Sequence, residues 1–114
     1  MASAERLFAY PWADIYRLYL QKVERKGRTV DELEEVLHWL TGYDRARLRT
    51  LDGDLRTFFA RAPAMNPHTD QISGVVCGVR VEDIEDPLMQ QIRRMDKLVD
   101  ELAKGRKMEK ILRG

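Results

Sequence analysis

The sequence predicts an all-α protein, a compact bundle of about five or six helices. Two observations carry this prediction. Apolar residues recur at three- and four-residue steps in most segments, and proline, aspartate or glycine stands at the ends of those segments. A chain of 114 residues has the size of one domain. We therefore expect a single helical domain at 10–113, preceded by an N-terminal extension at 1–9.

The first predicted helix opens at Pro11, because proline lacks only an amide hydrogen that a first turn does not use. It is expected to end after Arg25 and Lys26, whose charges suit the negative helix terminus, with Gly27 in a left-handed closing conformation. The apolar face of this helix comprises Trp12, Ile15, Tyr16, Tyr19 and Val23.

Three further helix starts follow in the middle of the chain. Thr29 and Glu32 have the spacing of a capping box, and Gly42 closes the helix that this box opens. Asp44 and Asp54 are suited to cap two short helices. The apolar residues after these three starts are, in order, Leu33, Val36, Leu37 and Leu40; Leu48 and Leu51; and Leu55, Phe58 and Phe59.

The next part of the chain is harder to interpret. Residues 62–70 contain two prolines and an asparagine, which predict an irregular loop. The segment 72–81 is rich in valine, which favours a strand, yet its first apolar residues also follow helical spacing. Because no second strand-like run is present to pair with it, we slightly prefer a helix despite Gly74 and Gly78. The exception is a strand that pairs with its copy in a dimer.

The longest predicted helix covers residues 87–104 and is expected to be the central element of the bundle. Asp86 and Pro87 form a cap and first-turn pair, and Gly105 ends the helix before a short last turn at 108–112. Its apolar seam comprises Leu88, Ile92, Met95, Val99 and Leu102, and it is widened by Met89 and Leu98. A seam of this width requires burial on two sides, either inside its own bundle or partly against another chain. Burial in the core explains most of the seam, and a homodimer is the natural use of any remainder.

Composition limits the classes of partner. Lys plus Arg number 20 against 19 Asp plus Glu, so the net charge of +1 provides no general attraction for nucleic acid. A single cysteine, Cys77, fits a reducing compartment, and no leader or bilayer-length apolar run is present. We therefore expect a soluble cytoplasmic protein without membrane association, for which nucleic acid is an unlikely partner.

Several sequence blocks together carry a family resemblance. The most specific is the run from Gly74 to Met89, and the blocks Lys26–Thr29, Trp39–Tyr43 and Asn66–Pro67 add to it. The chain from about Tyr10 to Arg113 resembles an uncharacterised bacterial family catalogued as domain of unknown function 2200. This resemblance implies a stand-alone bacterial cytoplasmic protein. It implies no activity, cofactor or catalytic residue.

Four residues are the candidate ligand-binding set: Asn66, His68, Cys77 and Arg80. Asn66 could orient a ligand and Arg80 could hold a carboxylate or phosphate, while a thiolate at Cys77 would need a nearby cation and a base such as His68. The simpler interpretation is a packed loop with Cys77 as an inert core residue.

Other constellations favour structural roles. The pair Glu35 and His38 has the spacing of two metal ligands on one helix, but no complete metal motif accompanies it, and we predict neither metal nor cofactor. The acidic run Glu82, Asp83, Glu85 and Asp86 is better explained by helix capping than by cation binding.

The absence of a complete catalytic motif leads to a functional hypothesis. We expect a non-enzymatic interaction or regulatory module that binds a second copy or another protein. One alternative is a small enzyme or ligand-binding protein with a pocket at the four candidate residues. The other is a weak nucleic-acid binder that uses Arg45, Arg47, Arg49 and the basic C-terminal segment.

Overall fold

The computed structural model describes residues 2–113 and confirms the all-α prediction. Within these residues seven α-helices follow one another: α1 Ala2–Phe8, α2 Trp12–Arg25, α3 Val30–Thr41, α4 Arg45–Thr50, α5 Leu55–Ala60, α6 Pro87–Ala103 and α7 Met108–Ile111. Single 3₁₀ turns lie at Thr69–Gln71 and Val81–Asp83, and two short strands are β1 Val75–Val76 and β2 Val79–Arg80.

The predicted helix starts are confirmed: α2 begins directly after Pro11, and four other starts have a side-chain cap that bonds to a residue three positions later. Thr29 and Glu32 form both bonds of the capping box at the start of α3. The carboxylates of Asp44, Asp54 and Asp86 each accept a hydrogen bond from the amide three residues later, at 2.8–2.9 Å. These caps fix where the chain enters α4, α5 and α6.

Helix α6 is the central element, as predicted, and its seam faces the chain's own core. It packs against α2, α3, α5 and α7. Ile92, Met95, Leu98, Val99 and Leu102 are all at most 1% exposed. Leu88 and Met89, in the first turn of the helix, are partly buried and pack against the same core. Most of the seam therefore faces the chain's own core.

An aromatic group fills the other half of the core. The rings of Trp12 and Phe58 stack with centroids 4.0 Å apart, and Tyr43 lies 4.9 Å from Phe58. The Trp12 indole donates a hydrogen bond to the Leu48 carbonyl at 2.9 Å, so its one polar atom is satisfied inside the core. This group joins α2 to α4 and α5.

Helix α1 occupies most of the segment expected to be an extension. Its Phe8 is 5% exposed and belongs to the core, and the Arg56 guanidinium lies 5.0 Å from the Phe8 ring centroid. Met1, the first residue of the predicted extension 1–9, lies outside the described residues. This helix was not predicted, because the segment presents only a short apolar group.

The preference for a helix at 72–81 is wrong. The segment forms an antiparallel hairpin in which Val75 pairs with Arg80 and Val76 with Val79. Cys77 and Gly78 form the two-residue turn with φ of 53° and 79°, the double positive φ that this kind of tight hairpin requires. The error has a clear cause: the segment pairs with itself, so it needs neither a second valine-rich run nor a second copy.

Candidate ligand-binding groove

An open groove of about 590 Å³ lies where the C-terminal half of α3 faces the proline-containing loop. We call it the Trp39 groove. Its lining comprises Glu35, His38, Trp39, Gly42, Ala64, Met65, Asn66, Pro67 and Leu112. Three separate parts of the chain therefore contribute to it: one helix, one loop and the C-terminal end.

Backbone hydrogen bonds hold the loop against the end of α3. The amide of Ala64 donates to the Thr41 carbonyl, and the amide of Asn66 donates to the Leu40 carbonyl, each at 3.0 Å. Gly42 ends the helix with φ of 82°, and a Cβ at this position would lie only 2.8 Å from the Ala64 nitrogen. The close approach therefore requires glycine, both for its positive φ and for its missing side chain.

The groove combines an apolar floor with a few polar groups. Trp39, Met65 and Leu112 are partly buried and pack against the core. His38 Nδ1 lies 2.8 Å from the Tyr43 carbonyl oxygen. Because a carbonyl only accepts, Nδ1 carries the proton in this bond, and in the neutral ring Nε2 is the acceptor. Glu35 is exposed beside it.

The structure separates the four predicted ligand-binding residues. Asn66 lines the Trp39 groove, and its side-chain oxygen accepts a hydrogen bond from the backbone amide of His68 at 2.8 Å. The His68 ring bonds to Gln71 at 3.1 Å. Cys77 and Arg80 belong to the hairpin instead, where Arg80 forms an ion pair with Glu82 at 3.6 Å. The groove contains only Asn66 of this set.

Cys77 is exposed at the hairpin turn, so the interpretation of it as a buried core residue is wrong. Its sulfur lies 4.0 Å from Asp96 Oδ2, not against His68. Asp96 also accepts hydrogen bonds from the Tyr19 hydroxyl and from Arg93. Burial, followed by the neighbouring Asp96 charge, raises the pKa of Tyr19 well above its usual range. Sequence spacing gave no sign of this cluster, because its members come from three elements.

Most of the basic residues considered for nucleic acid are already paired. Arg49 binds the buried Glu34 carboxylate through two nitrogens at 2.6 and 2.8 Å, and Arg45 pairs with Asp31 at 2.9 Å. Arg47 lies over the Tyr43 ring, 5.8 Å from its centroid. These intramolecular contacts engage positive charges that would otherwise be free to bind a phosphate backbone.

The same holds at the end of the chain, where Arg106 and Arg113 both bind Glu101, at 3.0 and 2.7 Å. Glu101 is 4% exposed, so these two arginines compensate a buried carboxylate. The basic C-terminal segment is therefore tied to α6.

Two residues of the acidic run, Glu82 and Asp86, accept hydrogen bonds from backbone amides. Asp86 caps α6, which confirms the capping interpretation for that residue. Glu82 accepts a hydrogen bond from the Gly74 amide at 3.0 Å, and this bond lowers the pKa of Glu82 below its ordinary value. Around Glu35 and His38, no third histidine, cysteine or carboxylate completes a metal-binding group within residues 2–113.

The fold and groove define a small α-helical protein with an open cleft at the end of one helix. Among the described residues, no helix has both the length and the apolar character needed to cross a lipid bilayer. The chain belongs to DUF2200, a family of uncharacterized proteins conserved in bacteria, whose model matches residues 6–113. The resemblance seen in the sequence is thereby confirmed.

One solved structure is similar throughout. The crystal structure of uncharacterized protein SP1917 matches with a TM-score of 0.87 and 43% sequence identity, over 95% of this chain and 91% of that one. No curated protein is significantly similar to the chain. The comparisons therefore support the fold and the family.

Proposed function

We propose that this protein is a non-enzymatic interaction module of the bacterial cytoplasm, which binds a segment of another protein in the Trp39 groove. The groove itself carries this proposal. Its volume of about 590 Å³ falls within the range of about 300–1,000 Å³ typical of binding pockets. An apolar floor gives affinity, and a small number of polar groups at the rim gives orientation.

The shape of the groove favours a segment of chain over an enclosed small molecule. The cleft is open, and it lies between a helix and a loop, so a bound segment can enter and leave along it. The rigid attachment of the loop to α3 supports the same conclusion, because a preformed site costs less ordering on binding. The exposed single thiol of Cys77 is consistent with a reducing compartment.

A displayed library of random peptides, selected on the immobilised protein, tests this proposal. The most enriched peptides are then labelled, and their affinities are measured by fluorescence anisotropy. Trp39→Ala and Met65→Ala are expected to weaken binding by at least tenfold, because both residues form the floor. Leu18→Ala is the matched control, since Leu18 is 48% exposed and lies outside the groove.

Two results would contradict the proposal: no enriched peptide, or peptides whose affinity falls equally with Leu18→Ala. Circular dichroism at 222 nm shows whether each variant remains folded. If Trp39→Ala fails to fold, Met65→Ala supplies the comparison.

A second candidate is a homodimer formed through the hairpin. Val75 and Val79 are 51% and 41% exposed, and they are among the most exposed large apolar side chains of the described residues. Val75 pairs with Arg80 and Val79 with Val76, so the two side chains lie on opposite faces of the hairpin, and a contact between two hairpins through the Val75 face would cover Val75. Light scattering at micromolar concentration is expected to give a dimer mass that Val75→Lys reduces to the monomer mass. A monomer mass for the unmodified protein would exclude this candidate.

A further inference from the structure

We propose that the segment bound in the Trp39 groove presents a cationic side chain, a lysine or an arginine, with its apolar stem along the groove floor. This inference rests on the proposed function and names the chemistry of the partner. It is carried by the charge of the groove, by its position on α3 and by its aromatic floor.

The groove carries one negative charge and no positive one. Glu35 is the acidic residue of its lining, and neither lysine nor arginine lines it. Glu35 is exposed, and no ion pair of its side chain occurs within residues 2–113. Arg45 lines an adjacent pocket together with Glu35 and His38, but its guanidinium is paired with Asp31 at 2.9 Å. A cation of the partner would therefore supply the missing counter-charge.

The position of the groove on the fold strengthens this preference. The groove lies at the C-terminal end of α3, which ends at Thr41. The aligned peptide dipoles of a helix place a partial negative charge at that end, which favours a nearby cation. An anionic ligand would be repelled by both Glu35 and this dipole.

The floor of the groove suits the rest of a basic side chain. Glu35 and Trp39 are four positions apart on α3 and so lie on the same side of the helix. A cation held by the carboxylate is then within reach of the indole ring, which attracts positive charge at its face. Met65 and Leu112 provide apolar surface for the carbon stem.

The selected peptides also test this inference. Each enriched peptide is synthesised again with its lysine or arginine replaced by norleucine or by glutamate. We expect the norleucine peptide to bind at least fivefold more weakly, and the glutamate peptide more weakly still. Glu35→Gln is expected to reduce the affinity for the basic peptide by a similar factor, and Glu35→Lys to reverse the preference toward the glutamate peptide. Glu24→Gln, an exposed glutamate on α2 outside the groove, is the matched control.

The two proposals fail in different ways. Peptides that lose affinity with Trp39→Ala, but that lack a basic residue and are indifferent to Glu35→Gln, would overturn the cationic partner and leave the groove as the binding site. Peptides indifferent to both Trp39→Ala and Met65→Ala would overturn the groove itself. If Glu35→Gln causes a smaller loss of peptide affinity at high salt than at low salt, the result supports the ionic contact.

Discussion

Replacing Tyr16 by phenylalanine removes one hydrogen bond from a buried carboxylate and should cost a measurable part of the protein's stability. The Tyr16 hydroxyl donates to Glu34 Oε2 at 2.6 Å, and the Glu34 side chain is fully buried. A hydrogen bond to a charged group contributes about 1.5–3 kcal/mol. Arg49 still reaches both oxygens of Glu34, so we expect the lower end, about 1.5 kcal/mol.

The dependence on pH makes this prediction specific. Burial raises the pKa of Glu34, but hydrogen bonds from Arg49 and Tyr16 outweigh it, and the net pKa lies below the ordinary value. The stabilisation is therefore complete above the unfolded pKa and is lost as the pH falls through the folded pKa. Burial and then the Glu34 carboxylate raise the pKa of Tyr16 from 10.0 to about 12, so stability is also lost as the pH rises from 10 through 12.

Urea unfolding followed by circular dichroism measures the effect. At pH 7 we expect Tyr16→Phe to lower the free energy of unfolding by about 1.5 kcal/mol. In thermal unfolding the same loss corresponds to a fall of about 6 °C in the midpoint temperature. The difference should shrink in acid, where Glu34 is protonated. Tyr10→Phe is the control: Tyr10 is 39% exposed, and we expect less than about 0.5 kcal/mol. Equal stability of the two variants would refute this reasoning, as would a difference that does not shrink when the pH falls through the folded-state pKa of Glu34.

Three further predictions use the same unfolding assay. Gly42→Ala should cost at least about 2 kcal/mol, because it adds a clash with Ala64 to the strain of a positive φ, whereas Gly27→Ala, in open space, should cost only about 1 kcal/mol. Equal costs would show that the close approach at Gly42 carries no energy. Cys77→Asn should raise stability by about 0.5 kcal/mol, since asparagine tolerates the left-handed conformation better, and a loss of stability would contradict this reading of the turn. Leu98→Ala should cost about 3 kcal/mol as a core cavity, and a cost below about 1 kcal/mol would show that the core collapses around the site.

Helix starts were predictable because they depend on neighbours in the sequence. The capping box of Thr29 and Glu32, and the caps at Asp54 and Asp86, each join residues three positions apart. The hairpin at 72–81 was missed for a related reason. Asparagine or glycine usually precedes the glycine in such a turn, and Cys77 is neither, so the local signal was weak.

The candidate site was predictable only in pieces. Asn66 stood out as a residue that could orient a ligand, whereas the spacing of Glu35 and His38 indicated either two metal ligands or, more simply, structural residues. Leu112 and Met65 gave no functional signal, since an apolar residue near a chain end or in a loop is common. Their role arises because α3 and the proline loop face each other.

By itself the sequence determined the class of fold, the position of the long helix and most of the helix ends. These follow from hydrophobic periodicity and from hydrogen bonds that close within one helical turn. Tertiary structure alone decided that the seam of α6 faces inward, that Cys77 lies beside Asp96 and that Glu35 and Leu112 share a groove. Such contacts join residues far apart in the chain, and their partners are fixed only when apolar surfaces from all the helices are buried together.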